Sequence, residues 1–138
     1  IRSKNIYSML NKIKKIPLKK IETKEGDIIK YIDKEKKYFN KFGEIYFSKI
    51  KKGHVKGWNL HKRTRCYLTV PYGSISFVFK DLNMTKYKKI RINDANPQLL
   101  IIPKNIWFKF WTSKKFSILA NLIEIKHNKK ETRKFPLI

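Results

Sequence analysis

The residues best equipped for chemistry stand together in GHVKGWNLHKRTRCYLTVPYG, residues 53–73. This stretch holds His54, Asn59, His61, Arg65 and the only cysteine of the chain, Cys66. An imidazole can take a proton at neutral pH, whereas a carboxamide can only orient a ligand by hydrogen bonds. A guanidinium can pair with an anionic oxygen through two parallel hydrogen bonds. Strand alternation puts Val55, Gly57, Asn59 and His61 on one face, and Lys56, Trp58 and Leu60 on the other. Gly57 leaves space beside the polar pair, as a closely approaching ligand or strand requires. With Arg65 added, these side chains would make a polar pocket in an otherwise apolar interior. Of these side chains His61 is the one on that face able to take up a proton. Two other readings of His61 stay open, as a ligand contact and as a structural hydrogen-bonder. Arg65 can equally lie at the surface.

The remaining reactive types form no second constellation. His54 sits in a turn and reads as exposed, and His127 reads as a hydrogen-bonder at a strand end. The carboxylates Asp27, Asp33, Glu35, Glu44, Asp81, Asp94, Glu124 and Glu131 are scattered, so spacing selects no acid/base pair. Cys66 has no disulfide partner and reads as a half-buried strand thiol. Zinc or iron needs at least three protein donors, so the sequence predicts neither metal nor other cofactor.

These residues must be positioned by strands. GEIYFSKI alternates Ile45, Phe47 and Lys49 against Tyr46, Ser48 and Ile50. VKGWNLH, CYLTVPY, SISFVFK, QLLII, IWFKFW and SILANLIEI follow, rich in β-branched and aromatic residues and separated by Gly, Pro, Asn or Asp. Many short strands with turn signals predict an all-β sandwich or barrel. Pro71 and Gly73 predict a hairpin between two strands, and Pro103, Lys104 and Asn105 a second turn. Ile16 to Tyr31 reads as short strands around a turn at Gly26, and DKEKKYFNKFG as a loop. The 138 residues, 41% of them hydrophobic, suit a single domain. Residues 1–20 would be a basic arm or a first strand or helix, with Ile6, Met9, Leu10 and Ile13 at helical spacing. Residues 42–131 would form the barrel core.

The formal net charge of +24 raises the question of nucleic acid. The lysines are spread from Lys4 to Lys134, and the arginines that read phosphate or guanine bidentately are few. A lysine-coated surface explains the charge without a nucleic-acid partner. No apolar run approaches the roughly 18 residues that a membrane span needs. A lone cysteine fits a reducing setting, and a soluble cytoplasmic protein is expected.

The spacing of Gly53, Asn59, His61, Cys66 and Gly73 resembles the first cupin signature, with two of its metal-ligand places changed in type. Pro103, Asn105 and Phe108 resemble the second signature, the turn kept and the histidine replaced. Within the cupins, Lys56-Gly57-Trp58-Asn59, then Gly73 and Asp81, then IPKNIWFKF, resemble the dTDP-4-dehydrorhamnose 3,5-epimerases and the dTDP-4-keto-6-deoxyhexose 3,4-ketoisomerases. Asn121, Ile125, His127 and Glu131 extend the likeness. The resemblance implies a cupin jelly-roll β-barrel, a homodimer paired through an N-terminal strand, and a nucleotide-linked sugar as ligand. It also implies metal-independent proton transfer beside a sugar ketone, in surface-polysaccharide synthesis. Asn59 holds the place of the family base and cannot accept a proton, and the place of the late-strand tyrosine falls near Ala120 or Asn121. His61 is then the substitute base, with Lys56, Asn59, Arg65 and Asn121 as substrate-binding residues. The alternatives are a catalytically silent cupin that binds a sugar or sugar nucleotide, and a basic nucleic-acid-binding protein.

Overall fold

The computed structural model describes residues 9–136, and nearly every regular element in it is a strand. After a 3₁₀ turn at Met9–Lys12 come β1 (Lys14–Pro17), β2 (Lys20–Thr23), β3 (Gly26–Ile29), β4 (Glu44–Lys51), β5 (Val55–His61) and β6 (Cys66–Tyr72). The second half adds β7 (Ser74–Lys80), β8 (Tyr87–Asn93), β9 (Gln98–Ile102), β10 (Trp107–Trp111), β11 (Phe116–Ile123) and β12 (Thr132–Lys134). Two five-stranded antiparallel sheets form the jelly roll: β1-β9-β6-β11-β4 and β12-β5-β10-β7-β8. The hairpin β2-β3 stands apart as a sheet of its own. Of the N-terminal helical pattern, Ile6 lies outside the described residues, while Leu10 and Ile13 are buried in the core.

Alternation accounts for the sandwich. Leu68 and Val70 of β6, Leu119 and Ile123 of β11 and Ile50 of β4 face Phe77 and Phe79 of β7 and Phe108 and Phe110 of β10 in one continuous core. The four phenylalanines form a ladder with ring centroids 5.6–6.3 Å apart. Each such pair adds about 0.5–1.5 kcal/mol beyond the area it buries. A second apolar cluster, Trp58, Leu60, Val78 and Trp107, covers the outer face of the β5-containing sheet. The outer face of the other sheet is covered by Tyr31, Ile32, Tyr38 and Phe39 from the long loop after β3.

Both expected turns are present, but they connect differently. Gly73 takes a positive φ of 93°, yet β6 and β7 belong to opposite sheets, so the segment is a corner rather than a hairpin. Asn105 also lies in the left-handed region, φ 65°, where the chain crosses from β9 to β10 between sheets. Two strands escape the sequence pattern, β8 and β12. In β8 only Ile90 and Ile92 are buried, among exposed Tyr87, Lys88, Lys89 and Arg91.

Candidate functional site

Between the sheets, at the side bounded by β4 and β5, the core gives way to a pocket of about 320 Å³. Its walls are Tyr46 and Ser48 of β4, Leu119 and Asn121 of β11, Lys56, Asn59 and His61 of β5, and Phe108 and Phe110 of β10. Thr132 and Lys134 of β12 close one side, and Glu44 and His127 stand at the rim. His127 is exposed, and its backbone N–H donates to Glu44 Oε1 at 2.9 Å. The end of the phenylalanine ladder thus forms an apolar wall opposite a polar floor.

His61 is the best-held side chain in the pocket. It is 6% exposed, and its Nδ1 lies 2.7 Å from Oε1 of Glu131, which is fully buried. The second carboxylate oxygen accepts the backbone N–H of Arg63 at 3.2 Å. Pairing of β12 with β5 sets Thr132 opposite His61 and so brings the preceding Glu131 to the ring. The imidazole also stacks on Phe108, with centroids 6.3 Å apart. A carboxylate at Nδ1 holds the proton there and leaves Nε2 as the nitrogen able to accept one. Glu131 is the buried partner of His61, a pairing that spacing alone does not select.

Tyr46 and Asn121 form the floor. They are partners across β4 and β11, and Asn121 Nδ2 donates to the Tyr46 hydroxyl oxygen at 2.8 Å. Burial, with nearby Cys66 adding to it, pushes Tyr46 up to about 12, so its hydroxyl keeps its proton at neutral pH. Cys66 is fully rather than half buried, and burial pushes its thiol up to about 12 as well, away from thiolate chemistry. Among the described residues no group of three or more His, Cys, Asp or Glu side chains is placed to hold a metal ion.

Strict alternation misplaces Lys56. Phe108 pairs with Asn59 and Phe110 with Lys56, so Gly57 and Trp58 together oppose the single residue Lys109. This β-bulge shifts the alternation by one and turns Lys56 into the pocket with Asn59 and His61. Gly57 has φ 120°, and a Cβ there would lie 2.6 Å from the carbonyl oxygen of Phe108 and 2.7 Å from Lys109 Cα. Only glycine fits that combination of conformation and close approach. The Lys56 ammonium donates to Ser48 Oγ at 2.7 Å, across the pocket from its own strand.

Arg65 is not among the residues lining the pocket, where its substrate-binding reading would put it, and takes the other of its two readings, on the outside of the barrel. It follows the end of β5, where the alternation that orients Asn59 and His61 no longer applies. Its Nη2 donates to Glu124 Oε2 at 2.9 Å, to the Tyr67 hydroxyl at 2.5 Å and to the Tyr38 carbonyl at 2.9 Å. The cluster pins the long loop after β3 to the outer face of its sheet. Burial raises the Glu124 carboxyl, but hydrogen bonds from Tyr67 and Arg65 outweigh it and hold the group below the usual carboxylate range. A depressed carboxylate stabilises the fold above its unfolded value and loses that contribution as pH falls through its folded value. Arg65→Met is therefore expected to cost about 1–3 kcal/mol at pH 7. The lower half of that range applies because the Arg65 side chain is 35% exposed and solvent screens it. Urea denaturation at pH 7 and at pH 3 checks this, since the difference from the native chain should shrink at the lower pH.

A family model described as FdtA: WxcM-like, C-terminal matches residues 11–135. No curated protein sequence matches the chain. Among solved structures it is similar to a dTDP sugar isomerase from Desulfovibrio desulfuricans G20, with TM-score 0.87 and 25% identity over 95% of this chain and 88% of that one. A dTDP-4-dehydrorhamnose 3,5-epimerase from Sulfolobus tokodaii is similar at TM-score 0.80 and 24% identity, over 89% of this chain and 76% of that one. A third similar structure is a histidine-to-asparagine mutant of the 3,4-ketoisomerase QdtA from Thermoanaerobacterium thermosaccharolyticum, in complex with TDP-4-keto-6-deoxyglucose. That likeness has TM-score 0.76 and 21% identity, over 88% of this chain and 86% of that one. The fold is the cupin jelly roll that these epimerase and isomerase structures share.

Proposed function

The chain belongs to the WxcM-like, C-terminal family, and from that membership and the His61–Glu131 pair we propose that it is a nucleotide-sugar epimerase or ketoisomerase acting on a 4-keto-6-deoxyhexose. The observation that carries this reading is an imidazole held by a buried carboxylate with its other nitrogen left for a pocket that also offers a protonated tyrosine. Nε2 of His61 takes the proton from the carbon beside the ketone. The C–H electron pair becomes the C=C bond of an enolate, and negative charge moves to the former carbonyl oxygen. The Lys56 ammonium is the cation in the pocket for that oxygen. A proton returned to the same carbon from the other face gives the epimer. Returned to the former carbonyl carbon, with the proton of the neighbouring hydroxyl passing to the former carbonyl oxygen, it gives the isomeric ketone. Tyr46 is the donor for this return, and Asn59 orients the ring without exchanging a proton. The cytoplasm and the assembly of surface polysaccharide are the setting we assign, where Cys66 stays a buried thiol.

Solvent deuterium incorporation tests the reading. A dTDP-4-keto-6-deoxyhexose incubated with the protein in D₂O should gain deuterium beside the ketone, read by NMR. A panel of such sugars that stays unlabelled sinks the enzyme reading, and binding without labelling would establish the silent sugar-nucleotide binder instead.

We further propose a homodimer, with the exposed side of β4 as its interface. This strand is the edge of its sheet, and its outward residues Ile45 and Phe47 are 42% and 70% exposed. Phe42 and Ile28, also exposed, extend the apolar area. An edge strand with an apolar face is a template for pairing, and two copies related by a two-fold axis satisfy each other's free backbone groups. Phe47→Lys is expected to convert the dimer to monomer in sedimentation velocity with an unchanged circular dichroism spectrum. A native chain that sediments as monomer at every concentration refutes the interface.

A further inference from the structure

A neutral oxygen holds the cation of the pocket. The Lys56 ammonium donates to Ser48 Oγ at 2.7 Å, and both residues line the pocket. Strand β4, which carries Ser48, and β5, which carries Lys56, lie in different sheets. The bond therefore bridges the open side of the sandwich. Among the described residues no carboxylate stands within ion-pair distance of Lys56. Glu44, the acid at the rim, begins the strand on which Ser48 is the fifth residue, roughly 13 Å away along the backbone. Its Oε1 is already engaged by the His127 N–H.

A lysine stem left alone at an exposed position samples many rotamers, and its charged end turns to water. The bond to Ser48 removes that freedom before a ligand arrives, and a fixed cation is the more effective against a developing anion. A hydroxyl does this without cancelling the charge, whereas a carboxylate in its place would leave a neutral pair. An ammonium has three donors, so those not used by Ser48 remain for a ligand. The direction of the tether fits the chemistry. His61 stands on the β5 wall, and Tyr46 on the opposite wall, two residues before Ser48 on the same face of β4. A proton leaving to His61 and one returning from Tyr46 use the two faces of a flat enolate, whose oxygen lies in the plane between them. Lys56 is rooted on the His61 wall, and its bond to Ser48 draws the ammonium across toward that plane.

We infer that Ser48 is a positioning residue: its hydroxyl holds the Lys56 ammonium between the two walls, where the enolate oxygen forms, and leaves the charge intact. This role rests on the nucleotide-sugar reading of the pocket. Ser48 touches none of the reacting atoms, and its effect passes through Lys56. The bond is exposed, so a ligand reaches the ammonium without rearranging the core. The serine is only half-buried, so its hydroxyl can be removed with the fold in place.

Deuterium exchange into a dTDP-4-keto-6-deoxyhexose, measured for the native chain, Ser48→Ala, Ser48→Thr, Lys56→Met and the double variant Ser48→Ala/Lys56→Met, tests this. Lys56→Met should lower kcat by about 10²- to 10³-fold, the size of a lost oxyanion donor. Ser48→Ala should lower kcat roughly 10-fold with KM little changed, as for an interaction made in the transition state. Ser48→Thr keeps the hydroxyl and should recover most of that loss. With methionine at position 56, Ser48→Ala should cost nothing more, since a residue that acts through the lysine has nothing left to position. Native kcat in Ser48→Ala, or a further loss of roughly 10-fold in the double variant, overturns the inference while leaving the nucleotide-sugar reading intact. A native chain that labels no keto-sugar overturns both. NMR of the lysine ammonium protons reads the tether without activity. The native chain should show a slowly exchanging signal that Ser48→Ala and Lys56→Met both lose, and a native chain lacking it overturns the inference. Should the alanine variant not fold, Ser48→Cys, close in shape but a weak acceptor, takes its place and should show the same loss of kcat.

Discussion

His61→Ala is expected to slow solvent deuterium exchange into a keto-sugar nucleotide by about 10²- to 10⁴-fold, the range over which a positioned general base contributes. Nucleotide affinity should stay within a few-fold of the native value, because the ring sits deep against Phe108 and Glu131 rather than at the rim. Asn59, its neighbour on the strand, cannot substitute, since a carboxamide does not take up a proton in the accessible pH range. His127 is exposed at the mouth and lies on a different segment, so it does not inherit the role. Full exchange in the alanine variant would remove His61 from the mechanism and leave the base to be found elsewhere in the pocket. Circular dichroism of the same sample separates a chemical effect from a folding one.

The second large effect is expected at Glu131, and it falls on stability and activity together. The carboxylate serves two donors, His61 Nδ1–H and the Arg63 backbone N–H, and is itself fully buried. Glu131→Leu leaves both donors unpaired inside the protein, at a cost of about 2–4 kcal/mol. Glu131→Gln preserves the shape but offers one acceptor where two donors need one each, so its NH₂ must oppose either the ring or the backbone. The glutamine variant should therefore lose roughly 1 kcal/mol yet show a fall in kcat of about 10²-fold or more, because the ring is no longer held as the Nδ1–H tautomer. Denaturant titration paired with the exchange assay reads both quantities. A glutamine variant of native kcat would show that the carboxylate only packs the ring in place.

Most of the strand framework was legible because apolar alternation and turn residues agree along VKGWNLH, CYLTVPY and SISFVFK, which are β5, β6 and β7. The corner at Gly73 was legible as a turn, but nothing local states that Tyr72 and Ser74 enter different sheets; that follows from long-range pairing of β6 with β11 and of β7 with β10. The β8 strand was missed because lysines, arginine and tyrosine fill its outward positions and only two isoleucines mark its buried face. Asn59 and His61 were readable from their shared strand face. Glu131 was not, since 70 residues separate it from His61 in sequence and only the β12–β5 pairing unites them. Tyr46 shares a strand face with Ser48 in the alternation of GEIYFSKI, yet its place opposite Asn121 depends on the register with β11. The two readings of Arg65 could not be separated locally because the strand ends before it, and its partner Glu124 comes from just beyond the end of β11.

The bulge at Gly57 makes the charge of the pocket a matter of parity. In an unbroken strand Lys56 and Asn59, three positions apart, must face opposite ways, and the extra residue opposite Lys109 is what lets an ammonium and a carboxamide share one wall. Closing the bulge with both residues kept would restore strict alternation and carry Lys56 to the outer face, whereas deleting Gly57 or Trp58 would leave Lys56 two positions from Asn59 and still on the pocket wall. The cation of this site is thus specified by the bulge as much as by a side chain, and substitutions at Lys56 and substitutions at Gly57 that forbid the bulge should strike the same step by separate routes.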